Sequence, residues 1–113
     1  MSRYNEVKHL LPPRVQQALE NAQQDTTRER LNGFCYQLRM HERDVRILRD
    51  KVDARVDRRR HEYAMRGLTP DHRGFVTPTM RQELELLHKL ECGIGAAVEE
   101  YKVLKAKVEG HGS

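Results

Sequence analysis

Between Thr26 and Gly67 the chain contains no proline and one glycine, Gly33, and no other feature constrains its fold as strongly. Proline in a helix interior costs about 3 kcal/mol, so its absence permits a single helix over about 27–67. At 1.5 Å per residue such a helix is roughly 60 Å long, too long to be enclosed by a small globule. Thr26 and Glu29 have the spacing of a capping box, which marks the start. The apolar residues Leu31, Phe34 or Cys35, Leu38, Val45, Leu48, Val52, Val56 and Tyr63 recur in mixed steps of about three and four. That is the stripe of a coiled-coil or bundle helix.

The segment GLTPDHRGFVTP interrupts this pattern. Gly67 can close the helix in the left-handed conformation, and Thr69-Pro70-Asp71 and Arg73-Gly74 are turn chemistry. Thr77 then caps a second helix with Pro78 at its first position, where a missing N–H is no loss. This helix is expected over 78–109, stopping at Gly110. Its seam of Leu87, Leu90, Ile94, Ala97, Tyr101, Leu104 and Val108 holds a heptad repeat, and Leu84, Leu86 and Val98 widen it. Upstream, Val15, Ala18, Leu19 and Ala22 share one face of a short helix from Pro13, preceded by a turn or two bearing Tyr4, Val7, Leu10 and Leu11. These pieces are suited equally to covering the wide face of the last helix or to being loosely attached, as terminal segments often are. The expected fold is all-α: one domain over 1–113, an antiparallel, coiled-coil-like long helical hairpin with a short N-terminal helical segment (about 1–24) packed on it, and a 68–77 loop.

A hairpin folded about residue 73 places residue x opposite roughly 146 − x. Val52 then meets Ile94, Leu48 meets Ala97 or Val98, Val45 meets Tyr101 and Leu38 meets Val108. The same register sets Arg55 against Glu91 as a pair that fixes the alignment, since removing one partner would leave a part-buried charge. Gly93, Gly95, Ala96 and Ala97 form a small-residue patch that admits another helix at close range.

Composition narrows the function. The chain has 113 residues, of which 25 are Leu, Ile, Val or Phe and 34% are charged, so a large enzyme with a deep pocket is not expected. No apolar run approaches the ~20 residues of a membrane span, and the N-terminus has no signal-peptide pattern. Cys35 and Cys92 lack any Cys-x-x-Cys or disulfide-framework spacing, which fits reduced thiols in the cytoplasm or another reducing compartment.

The net charge of +4 is concentrated: residues 28–66 hold twelve bases and seven acids. Arg58, Arg59 and Arg60 form the most basic run and are the candidates for phosphate contacts in a nucleic-acid-binding reading. Against it, Glu42–Arg46, Arg46–Asp50, Arg49–Asp53, Arg58–Glu62 and Glu62–Arg66 are opposite charges spaced i,i+4, the lacing of a solvated helix. No zinc-finger, basic-zipper or RNA-binding signature surrounds the Arg run. His88 and Cys92 share a helix face, with His61 as a conceivable third ligand, but this is scatter rather than a zinc motif, and no metal or cofactor is expected. No phosphate loop, nucleophile elbow or His-Glu-x-x-His occurs, so the chain reads as a non-enzyme.

The leading expectation is therefore a small helical adaptor, assembly cofactor, chaperone-like protein or inhibitor that presents a hairpin to a larger protein partner. Aromatic and Arg anchors dominate such interfaces. Phe34, Tyr36, Arg39 and Arg43 near the open end come first, then Tyr63, Met65 and Phe75 near the loop; each aromatic also reads as core or loop cover. The wide stripe of the last helix leaves a homodimeric four-helix bundle and a monomer equally open.

Overall fold

The computed structural model describes residues 3–69 and 74–111. Pro70, Asp71 and Arg73 of the expected turn lie outside them. The described residues are helical throughout their regular structure: α1 (Arg3–Val7), a 3₁₀ turn (Lys8–Leu10), α2 (Pro13–Gln24), α3 (Arg28–Met65) and α4 (Pro78–His111). Helices α3 and α4 form the expected long hairpin, and the short N-terminal helices pack on it.

Local chemistry explains the ends of α3. The expected Thr26–Glu29 capping box is not formed: Thr27 is the N-cap, its hydroxyl accepting from the Arg30 N–H at 3.3 Å, and Arg30 at the third position cannot complete a box. Thr26 instead donates to the Ala22 carbonyl at 3.0 Å, closing the end of α2. At the far end Gly67 is left-handed, with φ +73°. The Leu68 N–H donates to the Tyr63 carbonyl and the Gly67 N–H to the Ala64 carbonyl, the paired bonds of a Schellman motif. Thr77 caps α4 as the sequence indicates, accepting from the Met80 N–H at 3.1 Å. Helix α4 runs on through Gly110 to His111, past the expected stop.

The hairpin register differs from expectation by about one heptad. Arg49 pairs with Glu91 and Arg55 with Glu83, so residue x faces roughly 139 − x. Arg55 and Glu91 thus both make cross-hairpin ion pairs, but not with each other. The cause lies in the connection. Gly74 and Phe75 run back along the last turns of α3, where both of their carbonyls accept from Arg59. Held there by Arg59, the connection brings the start of α4 back alongside α3, so the fold-back point moves toward α3. A seven-residue slip returns most apolar positions to apolar ones (Val52 meets Leu87 in place of Ile94, and Val45 meets Ile94 in place of Tyr101), which is why the seam alone does not distinguish the two alignments.

The molecule is thick at one end and thin at the other. In the body, α2 lies antiparallel on α3, with Arg14 bound to Asp44 at 3.0 Å and Asn21 sharing a cleft with Gly33. The α1 segment and the 3₁₀ turn lie on α4. A Cβ at Gly93 would meet Leu10 Cβ at 3.2 Å, so it is the N-terminal segment that uses part of the small-residue patch. Coverage is thus divided: α2 packs chiefly on α3, and the first turns pack on α4. Val15, Leu19, Ala22, Leu31, Phe34, Leu38, Ala97 and Leu104 close this core. Beyond it, residues 46–65 and 78–92 form a two-helix arm with two smaller clusters, one around Val45, Val52 and Leu87 and one of Tyr63, Phe75 and Met80. The radius of gyration is 18.8 Å, against about 13 Å for a compact chain of this length.

Candidate functional site

The surface is larger than a compact fold requires: 8084 Å² against about 6,500 Å² for a globular monomer of this mass. Open clefts line the helix grooves, and the described residues contain no group of three His, Cys, Asp or Glu side chains able to hold a metal ion. Cys92 Sγ and His88 Nε2 lie 3.7 Å apart on α4, and both cysteines are free thiols, half-buried.

The predicted anchors separate into two groups. Phe34, Tyr63 and Phe75 are interior. Phe34 is fully buried and tilts against Tyr101 with ring centroids 6.2 Å apart. Tyr63 and Phe75 meet edge to face at 5.1 Å and seal the loop end. These three act as core: Phe34 and Tyr63 stand on the α3 seam, and Phe75 is folded from the loop onto Tyr63, where an aromatic ring buries a large apolar area. Tyr36, Arg39 and Arg43 are exposed on the outward side of α3, and Met65 is exposed at its end. Helical spacing adds Met40 and Ile47 to the face of Tyr36, in steps of four and seven, and Ile47 is 46% exposed. Sequence reading missed Ile47 because it fell outside the seam; its place on the Tyr36–Met40–Arg43 row was the available signal.

The three arginines of the basic run do different things. Arg59 is half-buried, donates to the Gly74 and Phe75 carbonyls and to the Tyr63 hydroxyl, and lies 5.1 Å from the centre of the Tyr63 ring. Its guanidinium ties the loop to α3, a use of five fixed donors that lysine could not reproduce. Arg60 pairs with Asp57 at 3.2 Å, and Arg58 lines a cleft with Arg55, Glu62, Thr79 and Glu83.

One buried polar residue escaped the sequence reading. His41 fills the seam gap between Leu38 and Val45, is 5% exposed, and among the described residues its Nε2 has no hydrogen-bond partner. Burial pushes its pKa below the usual value, the nearby Arg14 adds to this, and Asp44 opposes it. A neutral imidazole is the form this site holds.

Among the described residues no helix is long and apolar enough to cross a membrane. Comparison with known proteins finds no matching family model, no matching curated protein and no matching solved structure.

Proposed function

We propose that this chain is a non-enzymatic helical protein–protein interaction module, an adaptor, assembly cofactor, chaperone-like protein or inhibitor that presents its hairpin to a larger partner. The observation that carries this reading is the outward face of α3, where Tyr36, 62% exposed, and Ile47 flank Arg39 and Arg43. Exposed aromatic and aliphatic side chains interleaved with arginines are the composition of interface anchors. A reducing intracellular compartment suits the two free thiols.

The competing reading is nucleic-acid binding through Arg58, Arg59 and Arg60. The commitment of Arg59 to loop carbonyls and of Arg60 to Asp57 weighs against it. One paired experiment tests both. The wild-type chain and a Tyr36→Ala/Arg43→Ala variant are used for affinity capture from native lysate, and wild type is titrated into labelled single- and double-stranded oligonucleotides at physiological salt. The module reading expects a protein captured by wild type and lost in the variant, with no oligonucleotide binding tighter than micromolar. Micromolar or tighter binding, lost in the Arg58→Gln/Arg60→Gln variant, would replace it with the nucleic-acid reading.

A further inference from the structure

We propose that the open side of the arm receives an acidic amphipathic helix from a partner protein, seated where α1 and α2 would continue if they were longer. The inference rests on the interaction-module reading and assigns a partner chemistry to a second face.

Heptad steps identify that side. On α4, Gly93 is covered by Leu10 and Leu11, and one heptad earlier on the same side stands Leu86, 50% exposed. On α3, His41 is buried in the body next to Arg14 of α2, and one heptad later Leu48 is half-buried. Leu90, which belongs to the same cluster as Leu48, is half-buried too. The apolar row therefore continues past the point at which its cover stops. From residue 46 to residue 62 the uncovered length of α3 is about 25 Å, room for a helix of four to five turns.

Charge selects the occupant. Arg55, Arg58 and Arg59 line the cleft farther along this side, with Thr79 and Met80 on the α4 bank. Lys51 lies one heptad before Arg58. The carboxylates here are Glu62 and Glu83; Glu83 is bound to Arg55 and Arg59 is held by the loop carbonyls, so Lys51 and Arg58 are the cations a partner meets, against Glu62. A second copy of the chain does not suit this surface. Two arms packed antiparallel about a two-fold axis would set one basic α3 bank against the other. Packed parallel, the α1 and α2 segments of both bodies would occupy the same side and collide. A helix with leucine-like residues at i, i+4 and i+7 and carboxylates on the flank toward α3 satisfies both the row and the charge.

The test uses the full-length ¹⁵N-labelled chain and two synthetic amphipathic peptides of about 18 residues, identical in their leucines, with Glu or Lys at the flanking positions. At physiological salt the Glu peptide is expected to shift the amides of Leu48, Leu86 and Leu90. Its affinity should fall at least tenfold in Leu86→Glu and in Lys51→Glu/Arg58→Glu, whose side chains are exposed and whose folding is checked by circular dichroism. Equal response to both peptides, shifts confined to other residues, or no shift would overturn the proposal. Failure of the module reading is distinguishable. If the protein captured from lysate is lost in Tyr36→Ala/Arg43→Ala and kept in Leu86→Glu, this docking inference falls and the module stands; if wild type captures nothing, both fall.

Discussion

At the scale of single residues, two side chains carry more than their sequence pattern suggests. His41 occupies a core position as a neutral ring with an orphaned nitrogen. Its pKa is lowered by burial and by Arg14, so between that depressed value and the unfolded value of about 6.5 the unfolded chain binds the extra proton. Stability contributed by neutral His41 is therefore complete above pH 6.5 and declines as the pH falls below it. Urea unfolding midpoints measured from pH 7.5 to 5 should show this decline in wild type and a clearly smaller one in His41→Leu; parallel curves would show that the decline arises elsewhere. Arg59 holds the loop through two backbone carbonyls and the Tyr63 hydroxyl. Hydrogen bonds from a charged donor are worth more than neutral ones, so Arg59→Ala should lower unfolding stability by about 1–3 kcal/mol. Arg60→Ala, which removes only an exposed pair to Asp57, should change it by less than about 1 kcal/mol in the same experiment. Neither role was visible in the sequence. A histidine interrupts an apolar pattern instead of completing it, and a run of three arginines looks uniform until the loop folds back onto one of them.

At the scale of elements, the helices and their ends were largely legible because capping depends on neighbours in sequence. Thr77 with Pro78, and Gly67, perform the roles their chemistry implies. The start of α3 was legible to within one residue, since Thr26 and Thr27 both offer a hydroxyl and α2 takes the first. What sequence did not resolve was register, because a heptad seam is nearly unchanged by a slip of seven. Here the ion pairs Arg49–Glu91 and Arg55–Glu83 mark the alignment that the connection tied to Arg59 sets. With Cys35 and Cys92 replaced by Ala, the double variant Val52→Cys/Leu87→Cys should form an intramolecular disulfide readily on mild oxidation. Val52→Cys/Ile94→Cys, the pairing of the slipped alignment, should remain reduced, because those positions lie about 10 Å apart along the helix axis. The reverse preference would restore the slipped register. The destination of α2 differed from expectation: its face of Val15, Leu19 and Ala22 suits any apolar groove, and it packs on α3 instead of covering the wide face of α4.

At the scale of the whole molecule, a body with α1 and α2 packed on the hairpin contrasts with a two-helix arm. Of the candidate contact residues, Phe34 and Tyr63 on the seam and Phe75 of the folded-back loop became core, so solvent-facing Tyr36, Arg39 and Arg43 are the part of the predicted site that the fold leaves accessible. Two helices protect each other on one side only, so the arm should open at lower free energy than the body. Amide hydrogen exchange of the intact chain measures this directly. The account predicts that amides of α3 from 31 to 45 exchange at least tenfold more slowly than those from 46 to 62, with a matching step in α4 between its second and first halves. Uniform protection along both helices would contradict it, since the arm would then be as well covered as the body.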